Sequence, residues 1–305
     1  MTAIVEAEHL QKTFALGFFR KKVRAVEDVS FTVERNEIFG FLGPNGAGKT
    51  TTLKMLMGLL FPSRGQARIF GRPIGERAVK ERLGFLPENP YFYDYLSGAE
   101  LLDLMGHLFG LARAERRRRA RVLIERVGLA RAGNLALRKY SKGMLQRLGI
   151  AQALVNDPEL VVLDEPMSGL DPIGRKEIRD LIVELKHEGK TVLFSTHILS
   201  DVELVCDRVA IVVGGRIRDV GPLKQLLSPR LIDTEIVLDK DGQLERLRVP
   251  PDADVDAVVR EALAAGKKIV SVVPRRESLE DLFVREVDAA DVAGGAEHVK
   301  LKAKS

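Results

Sequence analysis

The sequence predicts an α/β fold built around a largely parallel sheet, and three observations support that prediction. The apolar run Ile38–Leu42 leads into a glycine-rich turn, and a helical pattern follows that turn to about residue 60. The run 160–163 is continuous, apolar and rich in valine, which is typical of a strand buried on both faces. A third run at 191–194 comes after a helix that Asp171 and Pro172 begin and Gly189 ends. Strand and helix therefore alternate along the chain.

Bulk composition indicates an ordinary globular protein. Of 305 residues, 45% are hydrophobic and 30% are charged, and no apolar run reaches the length of a membrane-spanning helix. Cys206 is the only cysteine, which excludes an intrachain disulfide and cysteine-based metal sites. The first ten residues do not resemble a signal peptide. The net charge of +5 fits either a solvated basic surface or attraction to anionic lipid or nucleic acid, and composition does not decide between these interpretations.

The chain divides by pattern into a large domain at 1–230, a small α/β domain at 231–289 and a disordered tail at 290–305. Within the large domain, a capping box at Ser97 and Glu100 opens a helix, and a second helical stretch covers 112–127. These helices predict an inserted helical subdomain at about 91–145. Its basic run, 116–119 with Arg121, is predicted to be a solvated surface.

The glycine-rich turn matches the phosphate-binding pattern G-x-x-x-x-G-K-[ST]. Its glycines allow successive backbone N–H groups to face phosphate oxygens, and the helix that follows adds the positive end of its dipole. Lys49 is predicted to reach the β- and γ-phosphates of ATP, and the Thr50 hydroxyl to bind Mg²⁺. The pattern predicts a P-loop NTPase core of the RecA-like kind. The predicted nucleotide-binding residues are Gly43, Pro44, Asn45, Gly46, Ala47, Gly48, Lys49, Thr50 and Thr51.

Asp164 and Glu165 follow the buried run 160–163. Functional groups of parallel sheets gather at the carboxyl ends of strands, so Asp164 is predicted to bind Mg²⁺ directly or through water. Glu165 is predicted to orient or deprotonate the attacking water. Taken alone, the pair fits a helix N-cap equally well, but the upstream P-loop favours the catalytic reading.

Three further motifs follow in a fixed order. They are Tyr140-Ser141-Lys142-Gly143-Met144 ahead of the acidic pair, Ser168-Gly169-Leu170-Asp171 after it, and Ser195-Thr196-His197 at the end of the next strand. With the P-loop, this order resembles the ATPase subunits of ABC transporters over roughly residues 3–230. The ending Ser278-Leu279-Glu280-Asp281-Leu282-Phe283 and the small last domain resemble, more narrowly, the ATPases of ABC-2-type permeases, which export drugs, lipids or polysaccharides.

The resemblance implies roles at the matching positions. Phe14 corresponds to the aromatic residue that stacks on adenine, although a core phenylalanine is the alternative. Ser141 and Gly143 correspond to signature residues that contact the ATP held by the other subunit, and Ser141 also suits a helix N-cap. Asp171 is then expected to cross the dimer interface, and His197 to contact the γ-phosphate.

Two positions depart from the family pattern. Lys142 stands where the signature usually has glycine, and its cation either assists binding of the triphosphate or points outward. Glu88 stands where a glutamine usually senses Mg²⁺ and the permease, and a carboxylate only accepts hydrogen bonds. Glu165 and His197 are intact, which favours a hydrolysing site.

The resemblance implies an ATP- and Mg²⁺-dependent subunit that powers transport through a separate membrane permease. The direction that the resemblance implies is export. A second ATPase subunit, identical or closely related, completes the two ATP sites, and no nucleic acid is expected as a partner. The chain is expected in the cytoplasm, peripheral on the inner face of the cell membrane. A nucleic-acid- or ribosome-associated ABC ATPase is the alternative, but it calls for tandem cassettes, coiled coils or zinc-binding cysteines. A P-loop kinase would lack Ser141, Gly143 and His197 in these motifs.

Overall fold

The computed structural model describes residues 3–17, 21–226, 231–240, 242–276, 280–281 and 283–285. The chain forms two compact units, Met1–Leu223 and Lys224–Ser305. No helix in these described ranges is long and apolar enough to cross a membrane.

The larger unit is built on a ten-stranded sheet in the order β5-β4-β1-β2-β10-β9-β3-β8-β7-β6. The strands are β1 Ala3–Leu16, β2 Lys21–Glu34, β3 Ile38–Leu42, β4 Arg64–Ile69, β5 Arg72–Pro73, β6 Leu83–Leu86, β7 Leu160–Asp164, β8 Thr191–Thr196, β9 Arg208–Val213 and β10 Arg216–Pro222. The five strands β9, β3, β8, β7 and β6 run parallel. The predicted α/β fold is confirmed.

Four strands at one edge of the sheet, β5, β4, β1 and β2, pair antiparallel, which the sequence analysis did not predict. Strands β1 and β2 form a long hairpin, and β4 and β5 extend it. The register of the hairpin shifts between Ala7 and Leu10 and again beyond Leu10. These shifts interrupt the two-residue alternation by which a half-exposed strand is recognised.

Helices cover both faces of the sheet. The helices of the larger unit are α1 Lys49–Leu56, α2 Arg77–Lys80, α3 Gly98–Leu108, α4 Arg113–Arg126, α5 Lys142–Ala153, α6 Pro172–His187 and α7 Leu199–Val205, with a 3-10 turn at Leu137–Lys139. Two helices follow in the chain, α8 Leu223–Leu226 and α9 Val255–Ala264, of which α9 belongs to the smaller unit. Helix α1 ends at Leu56, short of the predicted end near residue 60. Gly58 adopts a left-handed φ of 64°, its N–H bonds to the Met55 carbonyl, and the N–H of Leu59 bonds to the Lys54 carbonyl. That pair of hydrogen bonds is a Schellman motif, which terminates the helix.

The parallel strands are buried on both faces. In β7, Val161 and Leu163 pack in one apolar cluster with helices α5 and α6, while Leu160 and Val162 pack in the other with α1. Because both faces are covered, the functional groups of these strands gather where the strands end.

Helices α3, α4 and α5 lie between β6 and β7 in sequence. Ser97 and Glu100 form the predicted capping box at the start of α3. Of the predicted solvated arginines, Arg116 is half-buried because it pairs with Asp103 of α3 at 2.8 Å. Arg119 is half-buried too, and its guanidinium pairs with Glu115 and donates to the Val155 carbonyl. The remaining three are exposed.

The smaller unit has an antiparallel sheet in the order β12-β11-β13, formed by β11 Leu231–Lys240, β12 Gln243–Val249 and β13 Lys268–Arg276. Helix α9 begins at the N-cap Asp254 and buries Ala262 against Ile236, Leu238 and Val249. Ser278, which begins the segment that resembles ABC-2-type ATPases, and the predicted disordered tail at 290–305 lie outside the described residues.

Candidate functional site

The predicted phosphate-binding loop connects β3 to α1, and steric constraints explain why glycine occupies three of its positions. A Cβ on Gly43 would lie 2.3 Å from the Val212 carbonyl oxygen, and one on Gly48 would lie 2.5 Å from that of Ala25. Gly48 is also the N-cap of α1 and has a left-handed φ of 99°. Gly46 has a φ of 80° and open space where a side chain would stand. Only glycine therefore suits these positions.

Lys49 is buried at the first turn of α1, with 5% of its surface exposed. Its ammonium donates to the carbonyl oxygens of Gly43 at 2.7 Å and Pro44 at 3.2 Å. The same nitrogen lies 3.1 Å from Glu165 Oε1, so the predicted phosphate-binding cation and the predicted base form a buried ion pair. Each charge compensates the burial of the other.

Asp164 ends β7 and is completely buried. Its Oδ1 accepts hydrogen bonds from Thr50 Oγ1 at 3.0 Å and from Ser195 Oγ at 2.7 Å. Its Oδ2 is buried without a hydrogen-bond partner among the described residues. Burial raises the pKa of the Asp164 carboxyl above its ordinary value, and the hydrogen bonds from Ser195 and Thr50 oppose that rise.

Glu165 comes directly after the strand and has a left-handed φ of 51°, which is uncommon for a residue other than glycine. Its Oε2 lies 2.8 Å from Nδ1 of His197. Its backbone N–H donates to Ser195 Oγ at 2.9 Å. The fold thus brings together Lys49, Thr50, Asp164, Glu165 and His197, five of the residues predicted for the site.

A cavity of about 310 Å³ opens beside this group. It is lined by residues 45–51 with Ala25, Glu88 and Glu165. The structure therefore brings Glu88 to the same cavity as the P-loop. A larger cavity of about 630 Å³ lies between α3 and α4, and its lining contains neither the glycine loop nor the acidic pair.

The other predicted nucleotide contacts do not line the P-loop cavity. Ser141 is the exposed N-cap of α5, and its hydroxyl accepts the Met144 N–H at 3.3 Å. Asp171 is the exposed N-cap of α6 and accepts the Gly174 N–H at 2.7 Å. Phe14 is half-buried on β1, and the Lys12 ammonium lies 5.3 Å from the centre of its ring.

Lys142 lies beside the segment that leads to Asp171. Gly169 has a φ of 69°, and a Cβ built on it would lie 2.2 Å from the Lys142 ammonium and 3.0 Å from its Cε. The lysine side chain therefore runs along Gly169. Gly143 approaches the same segment, since a Cβ there would lie 3.5 Å from Leu170.

Sequence reasoning assigned no role to two residues of the site. Ser195 binds both acidic residues through one hydroxyl. Gln146, buried on α5, places its side-chain nitrogen 3.5 Å from the Glu165 carbonyl oxygen, at the long limit of a hydrogen bond. A polar residue inside an otherwise apolar run is the available signal for Ser195, which follows Val192, Leu193 and Phe194.

Comparisons with known proteins agree with this geometry. A family model described as ABC transporter matches residues 26–168. An uncharacterised ABC transporter ATP-binding protein of Synechocystis is 45% identical over 301 residues, covering 93% of this chain and 84% of its own. A fluoroquinolones export ATP-binding protein of Mycobacterium tuberculosis is 40% identical, covering 85% of this chain and 86% of its own.

A solved structure is similar as well. It is a dimeric, post-hydrolysis ATP-binding cassette bound to ADP and Pi, with a TM-score of 0.66 and 25% identity over 72% of this chain and 98% of its own. The level of identity to the Synechocystis protein, over most of both chains, shows the family. The chain therefore belongs to the ABC transporter family and is one of its ATP-binding ATPases.

Proposed function

We propose that this chain hydrolyses ATP with Mg²⁺ to power export through a separate membrane permease of the ABC-2 type. The observation that carries the proposal is the group formed by buried Lys49, Asp164 and Glu165 with Thr50 and His197 beside the P-loop cavity. Export is supported by the similarity to a protein named for fluoroquinolones export. The permease supplies the pathway, and this chain supplies the free energy of ATP.

The residues present fit a magnesium–nucleotide complex. Asp164 Oδ2 is buried without a partner among the described residues, and the Thr50 hydroxyl lies beside the same carboxylate. Oxygen donors of this kind suit Mg²⁺, which proteins usually hold with one or two carboxylates plus substrate phosphates. When bound, Mg²⁺ neutralises charge on the phosphates.

The triphosphate takes the backbone N–H groups of the loop after Pro44 and of the N-terminus of α1 as its donors. Its negative charge competes with Glu165 for the Lys49 ammonium, which now lies 3.1 Å from that carboxylate. Once the Lys49 ammonium pairs with the phosphates instead, Glu165 is free to accept a proton from the attacking water. The Nδ1 atom of His197 is hydrogen-bonded to Glu165 Oε2 at 2.8 Å, so His197 holds the carboxylate in place. The same histidine contacts the γ-phosphate.

The remaining predicted residues complete the nucleotide site in a dimer. Ser141 and Gly143 contact the ATP held by the second subunit, and Asp171 crosses the interface. The exposure of Ser141 and Asp171 in this chain and the dimeric cassette among the similar structures support this arrangement. Phe14 stacks on adenine with about 1 kcal/mol, and Glu88 binds metal or water beside the P-loop. ATP does mechanical work by favouring the closed dimer.

The permease docks on exposed aromatic residues near Glu88. Tyr91, Tyr93 and Tyr95 are 92%, 51% and 67% exposed. Phe92 instead packs against the apolar cluster of the helical subdomain. Aromatic side chains are enriched in protein interfaces, and three exposed tyrosines in five residues support a docking surface.

Fractionation of cells with and without the co-expressed permease tests the docking. The double variant Tyr93→Ala, Tyr95→Ala should leave the membrane fraction, while wild type stays there only with the permease. Leu244→Ala, which truncates an equally exposed residue of the smaller unit, serves as the control. Full membrane association of wild type without any permease would contradict the docking model.

A further inference from the structure

Ser195 occupies a position that links the two acidic residues of the site. It lies on β8, is completely buried, and stands opposite Asp164 in the parallel pair β7–β8. Its hydroxyl donates to Asp164 Oδ1 at 2.7 Å and accepts the Glu165 N–H at 2.9 Å. A hydroxyl has one proton to donate, so Ser195 commits its only donor to Asp164.

The bond to Asp164 fixes which carboxylate oxygen is free. Thr50 and Ser195 both donate to Oδ1, and Oδ2 is left buried without a partner. Asp164 has no ion pair within the described ranges of the chain, so these two hydroxyls determine its orientation. When Thr50 turns its hydroxyl oxygen toward a metal ion, Ser195 remains as the donor that holds Oδ1.

The bond to Glu165 acts on the backbone. Glu165 has a left-handed φ of 51°, a strained conformation for a non-glycine residue that persists only where neighbouring groups hold it. Ser195 accepts the N–H of this residue, which is buried. The direction in which the Glu165 side chain leaves the strand depends on that backbone conformation.

We propose that Ser195 is a positioning residue for ATP hydrolysis, whose single hydroxyl orients the Asp164 carboxylate toward Mg²⁺ and fixes the backbone that aims Glu165 at the attacking water. The inference rests on the proposed Mg²⁺-dependent function of this site. Ser195 does not contact substrate; it acts through Asp164 and Glu165.

A matched control exists on the same strand. Thr191 begins β8, is buried, and its hydroxyl accepts the Asn36 N–H at 2.9 Å. It lies at the end of the strand away from Asp164. Thr191→Val therefore removes one buried, hydrogen-bonded hydroxyl from β8 without touching the acidic pair, as Ser195→Ala does at the other end.

The first measurement is binding of a fluorescent, non-hydrolysable ATP analogue during titration with Mg²⁺. Ser195→Ala should need about tenfold more Mg²⁺ for half-maximal enhancement of binding, because partners of metal ligands typically contribute 10–100-fold to metal affinity or activity. Its affinity for the analogue in EDTA should equal that of wild type. Thr191→Val should match wild type in both, while both variants show a similar small fall in melting temperature.

The second measurement is steady-state hydrolysis. Ser195→Ala should lower kcat by about tenfold, with KM for ATP at saturating Mg²⁺ nearly unchanged, and Ser195→Thr should recover much of the loss because it keeps the hydroxyl. An unchanged Mg²⁺ midpoint and kcat in Ser195→Ala would overturn the inference, and so would an equal change in Thr191→Val. If wild type itself shows no Mg²⁺-dependent hydrolysis, the proposed function fails. If only the Ser195 inference fails, wild type still hydrolyses ATP with Mg²⁺, so the two failures are distinguishable.

Discussion

The P-loop site and the signature segment are both predicted to bind nucleotide, but they differ in how complete they are within one chain. Lys49, Asp164, Glu165 and Ser195 are buried and contact one another. Ser141 and Asp171 are exposed, and their side chains accept hydrogen bonds from the helices that they begin. The difference teaches that one fold can assemble the proposed catalytic group by itself, whereas the residues proposed to act on a second subunit serve as helix caps within this chain.

The largest effect should follow from breaking the buried group. Glu165→Gln should lower ATP hydrolysis by about 10²–10⁴-fold because the glutamine amide does not accept the proton of water. Lys49→Ala should abolish hydrolysis by weakening phosphate binding. Both are measured as phosphate release.

Nucleotide binding separates these two variants. ATP should still bind to Glu165→Gln but not to Lys49→Ala, and Lys240→Ala, which removes an exposed lysine, should match wild type. Wild-type turnover in Glu165→Gln would remove this residue from the role of base.

A substitution in the signature segment should act on assembly rather than on the buried group. Ser141→Arg, in the Glu165→Gln background, should prevent the ATP-dependent dimer that light scattering detects, because a long cation fills the space at the interface. Ser141→Ala should cost only about 1 kcal/mol of stability through the lost N-cap. If light scattering shows that Glu165→Gln is a monomer both with and without ATP, the two-subunit site is contradicted.

Lys142 sharpens the comparison, because its side chain lies along Gly169 and not in the P-loop cavity. Lys142→Glu should weaken ATP-driven dimerisation by a few-fold, since like charge then faces the triphosphate of the other subunit across a screened distance. Lys142→Gly should change it less. Equal dimerisation in all three proteins would show that the Lys142 charge does not act on the nucleotide.

The smallest effect is expected at the opposite end of β7, where the carboxylate is exposed. Glu159 precedes the strand, and hydrogen bonds and charge from Arg82 and then Arg35 lower its pKa to about 2. A pKa lowered by folding stabilises the protein above the unfolded pKa, near 4.5, and the stabilisation is lost as pH falls toward 2. Glu159→Gln should therefore destabilise at pH 7, by less than about 1 kcal/mol because the pair is solvated.

Urea unfolding midpoints at pH 7 and at pH 3 measure this difference, which should shrink at the lower pH. Glu203→Gln removes an exposed carboxylate that has no ion pair among the described residues, and it serves as the control. A difference between wild type and Glu159→Gln that does not change with pH would contradict the ion-pair explanation.

The parts of the fold that local sequence determines were predictable. The P-loop, the buried strand β7 and the N-caps Ser97 and Asp171 depend on residues a few positions apart, and the structure has them as predicted. The hairpin of β1 and β2 was not predicted, because its register shifts interrupt the two-residue alternation by which such strands are recognised. Ser195 was missed for a similar reason: its role arises only when β8 is aligned beside β7, and no local pattern encodes that alignment.

The contacts of Gly43 and Gly48 have a consequence for sequence divergence. The atoms that exclude a side chain at these glycines are the peptide oxygens of Val212 and Ala25, which every amino acid carries. No replacement at 25 or 212 can make room for a larger residue at 43 or 48. A second substitution at either position therefore cannot compensate for the loss of one of these glycines. Within the fold, these two glycines therefore tolerate no drift, whereas positions 25 and 212 are limited only by how their own side chains pack.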